Sequence, residues 1–166
     1  MGILSEITPQ KEGSQCSPER LAKLAAGRSS FWEYCKLINP SFFKDSRPYQ
    51  KVIADTLQAA YEKRLINPKT GKPYDIVIIN LPPGFGKSYM ATTFTTWAFG
   101  QDVKNMAITV SYNQTLSTRF AKTVRDTIED NENELLPDHY VVSSFFPYVK
   151  IKRGDGAMNL WSLEGQ

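Results

Sequence analysis

The chain has little of what several kinds of catalytic and structural site require. Its 166 residues include two cysteines, Cys16 and Cys35, and a single histidine, His139. Neither cysteine belongs to a CxxC pair, so the sequence does not indicate a disulfide framework or a thiolate metal site. One histidine leaves a Ser–His hydrolase triad or a His-rich metal site almost without the groups it needs.

Long apolar segments are also missing. No run approaches the roughly 20 residues of a membrane span, and the polar N-terminus has no signal-peptide core. We therefore expect no membrane partner and an intracellular, reducing compartment. The hydrophobic content of 41% and the charged content of 22% are typical of a folded globular domain.

The net charge of the chain is small. Twenty basic and 17 acidic residues give a net charge of +3. Residues 1–74 hold 12 basic and 7 acidic side chains, whereas residues 75–166 hold 8 and 10. This distribution allows a nucleic-acid surface but does not by itself predict one.

The most informative stretch runs from Tyr74 to Met90. It contains the apolar run Ile76-Val77-Ile78-Ile79, a Gly/Pro loop that ends in Gly86-Lys87-Ser88, and the start of a helix. Branched apolar residues on both faces predict a parallel strand buried between two layers of helices. The order of strand, loop and helix is that of a phosphate-binding P-loop.

The loop supplies the groups that hold phosphate. Gly84 and Gly86 permit positive φ angles and a close approach of the backbone to an anion. Lys87 would place an ammonium near the β- and γ-phosphates, and Ser88 would offer a hydroxyl to Mg²⁺. The residues expected to contact the phosphates are Pro83, Gly84, Phe85, Gly86, Lys87 and Ser88.

The P-loop signature is incomplete. Where the full pattern has its first glycine, this chain has Leu81, followed by Pro82 and Pro83. A Gly-Lys-Ser turn that arose by chance is the alternative to phosphate binding.

The rest of the chain predicts an α/β fold. We expect a flexible tail at 1–17 and a domain over 18–166 that is a P-loop NTPase with a three-layer parallel sheet flanked by helices. A hairpin is predicted from 148–152 and 158–163, across Gly154-Asp155-Gly156. Helices are predicted near 18–26, 31–38, 47–61, 87–100 and 113–128, and buried strands at 75–80 and 105–110.

Gln50 is a candidate for base recognition. It lies near the start of the predicted helix 47–61, away from its apolar stripe, and 37 residues before Lys87. Its amide can both donate and accept a hydrogen bond, as reading the edge of adenine requires. A solvated helix residue is the alternative.

The carboxylates of a complete ATPase are not evident. Such an enzyme needs an acidic residue at the end of another strand to hold Mg²⁺. The apolar run 145–148 ends in no acid, and Asp126 and Glu129 lie on a predicted helix. We therefore expect the front part of a longer ATPase, without its acidic strand or a nuclease domain, and with weak or no turnover alone.

Three segments together resemble a known family. They are Arg47-Pro48-Tyr49-Gln50, residues 79–88, and residues 110–120 with Val124-Arg125 one turn later. The sequence is similar to the ATPase domain of the large terminase subunit, the DNA-packaging motor of tailed bacteriophages. The resemblance implies an ATPase that uses ATP and Mg²⁺ to drive double-stranded DNA into a procapsid.

The resemblance also implies roles and partners. Lys87 would be the catalytic phosphate ligand, Ser88 would hold Mg²⁺, and Gln50 would meet adenine. The partners would be double-stranded DNA, the portal protein, the small terminase subunit and further copies of the chain in a ring. The compartment would be the host-cell cytoplasm, outside the virion. Many family members have an arginine where this chain has Gly84 and Phe85.

Two other functions fit the same residues. The chain also resembles the front half of a superfamily 2 helicase, which has a glutamine-bearing helix before its P-loop. A nucleotide-binding module without catalysis is the third possibility, because the hydrolytic carboxylates are not evident.

Overall fold

The computed structural model describes residues 17–130, 139–154, 157 and 160–166. Apart from Ser17, the expected tail lies outside these residues, as do Asp155 and Gly156 of the predicted hairpin turn. No helix in the described part is long and apolar enough to cross a membrane. The helices are α1 (Pro18–Ser29), α2 (Phe31–Ile38), α3 (Pro48–Tyr61), α4 (Lys87–Gln101), α5 (Gln114–Glu129) and α6 (Val142–Phe145).

Helix α1 begins as predicted but does not stop at Gly27. The Ser17 hydroxyl accepts a hydrogen bond from the Arg20 amide at 3.2 Å, and Pro18 occupies the first turn. The helix continues to Ser29, and Gly27 lies inside it at a point where the Phe145 ring packs against the backbone. A Cβ atom at Gly27 would lie 2.4 Å from the Phe145 ring, so only glycine fits there.

The predicted limits of the other long helices are close to those observed. Helix α2 has the predicted bounds, and the Ser30 hydroxyl accepts from the Glu33 amide at its start. The Asn113 side chain caps α5 by accepting from the Thr115 amide at 2.7 Å. Helix α4 extends one residue beyond the predicted stop at Gly100.

Helix α3 ends in a Schellman motif with a lysine at the left-handed position. The Lys63 amide donates to the Ala60 carbonyl at 3.0 Å, and the Arg64 amide donates to the Ala59 carbonyl at 2.8 Å. Lys63 has φ +56°, a conformation that glycine or asparagine adopts more easily. The chain then forms a short turn closed by an antiparallel bridge between Ile66 and Pro73.

An aromatic core holds α1, α2, α4 and α6 together. The Phe31 and Trp97 rings are 5.6 Å apart between centroids, and the Tyr34 and Phe145 rings are 4.9 Å apart. The Tyr34 hydroxyl bonds to Thr96 Oγ1 at 3.0 Å within this core. These rings are buried, so they pack the interior and present no surface on which bases could stack.

The expected three-layer parallel sheet is wrong. The described residues contain no sheet, and their only β pairing is in two isolated antiparallel bridges, Ile66–Pro73 and Ile151–Leu163. Residues 76–80 and 106–110 belong to no strand and exchange no backbone hydrogen bond with any described residue.

The side chains of these two segments explain the failure. Ile76 is 75% exposed, Ile78 86% and Ile108 90%, although the apolar pattern predicts burial on both faces. A parallel strand is stable when neighbouring strands pair with it and helices cover both faces. The β preference of a segment does not show whether a neighbouring strand will pair with it. No described residue forms a backbone hydrogen bond with these two segments.

Among the described residues, the predicted C-terminal hairpin is paired at the end of its strands that lies away from the turn. Ile151 and Leu163 form the bridge, the Lys152 amide donates to the Ser162 carbonyl at 3.0 Å, and the Glu164 amide donates to the Lys150 carbonyl at 2.9 Å. Met158 and Asn159 of the second predicted strand lie outside the described residues.

Two valines give a matched test of this architecture. Val124 on α5 is 1% exposed and Val110 is 86% exposed. We expect Val124→Ala to lower the free energy of unfolding by about 2 kcal/mol, since it removes buried methyl groups and leaves a cavity. Val110→Ala should change it by less than about 0.5 kcal/mol. Urea denaturation followed by circular dichroism measures both, and equal losses would show that the 106–110 segment is covered in solution.

Candidate functional site

The loop between residue 80 and helix α4 has the backbone geometry that the sequence predicts for anion binding. Gly84 has φ +83°, and Gly86, the residue that caps α4, has φ +79°. A Cβ atom at Gly84 would meet nothing within 4 Å, whereas one at Gly86 would lie 2.1 Å from the Phe42 ring. Gly86 is thus required both by its backbone conformation and by the contact with Phe42.

The start of α4 presents free backbone donors. The first intrahelical bond of this end runs from the Met90 amide to the Gly86 carbonyl at 2.9 Å. The amides of Lys87, Ser88 and Tyr89 therefore have no acceptor in a preceding turn. In a helix of 15 residues these donors coincide with the positive end of the dipole, which favours an anion.

Lys87 folds back over its own loop. Its ammonium donates to the Leu81 carbonyl and, at 3.0 Å, to the Pro82 carbonyl. These two bonds tie the beginning of the loop to the beginning of the helix. An ammonium has three N–H donors, so one is left for an acceptor outside the chain.

A cavity of about 300 Å³ adjoins the loop between α3 and α4. The Tyr49 and Phe85 rings stand 5.6 Å apart between centroids at an angle of 57°. A cavity of this size, largely apolar with a few polar groups, is typical of small-molecule sites. Its wall includes Phe42, Tyr49, Gln50, Ile79, Phe85 and Lys87.

Gln50 is buried in this wall, and the alternative of a solvated residue is wrong. It is 1% exposed, and its Oε1 atom accepts from the Lys44 amide at 3.2 Å. That bond assigns the orientation of the side-chain amide. Its Nε2 atom is buried and has no hydrogen-bond partner. A buried donor without an acceptor costs about 1–3 kcal/mol, and a ligand acceptor that reached Nε2 would relieve this cost.

The connector from α2 to α3 links the glutamine to the loop. The Phe42 ring packs on Gly86 and lies 4.9 Å from the Tyr89 ring between centroids. Arg47 donates to the Phe42 carbonyl at 3.1 Å, and its guanidinium lies 5.6 Å from the centre of the Phe42 ring. One short connector therefore contacts both Gln50 and the loop at Gly86.

Sequence reasoning missed two residues of the site. Tyr49 fits the apolar stripe of α3, but it also lines the cavity, and Phe42 is the residue that fixes Gly86. An aromatic pair at 42–43 inside an otherwise polar connector is the signal that could have identified Phe42.

Ser88 and Tyr89 differ although they are neighbours. Ser88 is exposed, and its hydroxyl bonds to none of the described residues. The Tyr89 hydroxyl accepts from the Asn39 side chain at 2.9 Å, and burial raises the pKa of this phenol. Tyr89 therefore stays neutral and structural, while Ser88 is available to a ligand.

The predicted site residues are only partly brought together. Gln50, Phe85, Gly86 and Lys87 line one cavity. Pro83, Gly84 and Ser88 belong to the loop and the first turn of α4 but do not line that cavity. They are positioned to contact the part of a ligand that extends out of it, as a chain of phosphates would.

Neither carboxylates nor thiols complete the site. The described residues contain no group of three or more His, Cys, Asp or Glu side chains that could hold a metal ion. Cys35 is buried in the core, and burial raises the pKa of its thiol well above the usual value. Cys35 is therefore not a reactive nucleophile.

A larger cavity of about 460 Å³ lies between α4, α5 and residues 105–109, with the Trp161 ring at its edge. No charged side chain, cysteine, histidine or tyrosine lines it. The smaller cavity beside Lys87 is therefore the better candidate for binding a charged ligand.

The two loop glycines allow a matched test. We expect Gly84→Ala to lower the free energy of unfolding by about 1 kcal/mol, since the only cost is the strained φ angle. Gly86→Ala should cost about 1–3 kcal/mol more because its Cβ also collides with Phe42. In a Phe42→Ala background this extra cost should largely disappear. Thermal unfolding measures each variant, and equal effects at both glycines would contradict the Phe42 contact.

Comparison of the chain with known proteins finds no relative. No protein-family model, no curated protein and no solved structure matches it. The function of the site is therefore inferred from its own residues and contacts.

Proposed function

We propose that the chain binds ATP in the cavity beside Lys87, as the ATP-binding part of a viral DNA-packaging motor of the large terminase type. One observation carries the proposal. Gln50, whose side-chain amide has a donor without a partner, and Lys87 line the same cavity at the N-terminus of α4. A ligand with a polar acceptor at one end and a polyanion at the other satisfies both.

The phosphate end of the ligand is held by the loop. The backbone donors at the start of α4 and the third N–H of Lys87 are charge-assisted partners for phosphate oxygens. Gly84 and Gly86 adopt positive φ angles and have no Cβ atom, so the loop backbone can approach a bound anion closely. These features support a polyphosphate over a single carboxylate.

The base end of the ligand is held by Gln50 and the aromatic rings. Because Gln50 Oε1 already accepts from the Lys44 amide, Nε2 is the atom left for the base, and the ring nitrogens of adenine are acceptors for it. Tyr49 and Phe85 offer ring faces on which a flat base can pack. Of the two roles predicted for the Gln50 amide, acceptor and donor, only that of donor is left for the base.

One residue of the described site, Ser88, has a side chain of the type that binds Mg²⁺. The exposed Ser88 hydroxyl beside the phosphate loop is an oxygen ligand of the kind that Mg²⁺ accepts, together with phosphate oxygens and water. When bound, Mg²⁺ neutralises charge on the phosphates. Lys87 and the amides of α4 orient the phosphates, and Gln50 fixes the base.

The motor assignment rests on the resemblance of residues 47–50, 79–88 and 110–120 to the large terminase subunit. It makes the chain part of an ATPase that moves double-stranded DNA. Its partners are the portal protein, the small terminase subunit and further copies in a ring, in the cytoplasm of the host cell.

A nucleotide-binding module without catalysis is a second candidate. No aspartate or glutamate is among the residues that line the cavity beside Lys87. A carboxylate that orients water is part of most ATPase sites. Binding without turnover favours this second function and leaves the nucleotide site itself intact.

A single lysine tests the nucleotide site. We expect Lys87→Ala to lower the affinity for ATP about 10- to 100-fold, since it removes a charge-assisted hydrogen bond worth about 1.5–3 kcal/mol. Lys104→Ala is the control, because Lys104 is also an exposed lysine but lies outside the cavity. Isothermal titration calorimetry measures both, and an unchanged affinity in Lys87→Ala would refute the site.

A further inference from the structure

The basic hairpin, defined as residues 63–74, holds four basic residues and no acidic one. It follows α3 and contains Lys63, Arg64, Lys69 and Lys72. The one acidic residue next to them on the α3 side is Glu62, and Asp75 follows the hairpin on the other side. Residues 62–74 thus have a net charge of +3, equal to that of the whole chain.

The lysines of the basic hairpin differ from three helical lysines that have an acidic partner. Lys23, Lys51 and Lys122 each pair with a carboxylate four residues away on their own helix, at 2.5–2.7 Å. Within the hairpin Arg64 pairs with Glu62.

Lys63, Lys69 and Lys72 are exposed, and none of them forms an ion pair with a described residue. Three ammonium groups are therefore free to neutralise charge on a partner.

The backbone of the basic hairpin is fixed by its own hydrogen bonds. The Asn67 amide donates to the Lys72 carbonyl at 2.8 Å, and the Tyr74 amide donates to the Leu65 carbonyl at 2.9 Å. The Asn67 side chain also accepts from the Lys69 amide at 2.9 Å. A partner therefore meets lysines on an ordered support and needs to fix only their side chains.

Lys63 occupies a backbone position that suits glycine better. Its φ of +56° is left-handed, and it is the only non-glycine residue in the described part of the chain with a positive φ. A cation at this strained position adds charge to the hairpin where folding alone favours glycine or asparagine.

We propose that the basic hairpin binds the phosphate backbone of double-stranded DNA. The inference rests on the proposed motor function, for which DNA is the substrate. Residues 67–72 at the tip include no aromatic side chain, so the tip cannot stack unpaired bases. Lysine ammonium groups act as point charges toward phosphates and read no base sequence, which suits a motor that moves any DNA.

The DNA surface and the nucleotide site lie at opposite ends of one segment. Residues 75–80 join Tyr74 of the basic hairpin to Leu81 of the loop. Lys63, Lys69 and Lys72 do not line the cavity beside Lys87. Substitutions in the hairpin should therefore leave nucleotide binding unchanged, which separates failure of this proposal from failure of the nucleotide site.

The experiment compares two triple variants of the chain. In the first, Lys63, Lys69 and Lys72 are each replaced by alanine. In the control, the ion-paired Lys23, Lys51 and Lys122 are each replaced by alanine, which removes the same total charge. Fluorescence anisotropy with a labelled 30-base-pair duplex gives the affinity at several salt concentrations, and circular dichroism verifies that both variants are folded.

The hairpin variant should show a salt dependence of log K that is shallower by about 2–3, since each lost phosphate contact removes about 0.9 from the slope. The control should change by less than about 1, and ATP affinity should be the same in both variants. Equal slopes in the two variants would overturn the proposal. Binding to vesicles of anionic lipid without binding to the duplex would also overturn it.

Discussion

The packing of the Phe42 ring against Gly86 is the contact on which the candidate site depends. It joins the connector between α2 and α3 to the residue that caps α4, where a Cβ atom would lie only 2.1 Å from the ring. The same connector supplies the Lys44 amide that orients Gln50. One partly buried aromatic ring thus sets the distance between the group that would read a base and the loop that would hold phosphates.

The position of α4 is in turn fixed by the aromatic core. Trp97 donates from Nε1 to the Gly27 carbonyl at 3.2 Å, and Thr96 bonds to the Tyr34 hydroxyl. These bonds anchor the middle of α4 to α1 and α2, so its first turn is presented at the surface by a rigid support. The basic hairpin lies beyond residues 75–80, which lack backbone partners among the described residues. The cavity and the charged hairpin are therefore joined by a segment that no described residue supports through backbone hydrogen bonds.

Local sequence signals predicted the helices and the loop well, because caps and glycines act within a few residues. Ser17, Asn113 and Gly86 are examples in which the residue type alone decides the local geometry. The predicted sheet is absent from the described residues, because a strand such as 105–110 depends on neighbours that its own apolar pattern does not specify. Burial of Gln50 was missed for the same reason, since the Lys44 amide that engages it comes from a connector without periodicity.

Nuclear magnetic resonance of ¹⁵N-labelled protein tests the central claim, that one cavity binds the base through Gln50 and the phosphates through the loop. With ATP and Mg²⁺ we expect shifts in the backbone amides of Gly84, Gly86 and Ser88 and in the side-chain amide of Gln50. With pyrophosphate and Mg²⁺, a ligand without a base, the loop amides should shift and the Gln50 side chain should respond much less. Shifts confined to residues outside the loop and the cavity would contradict the account.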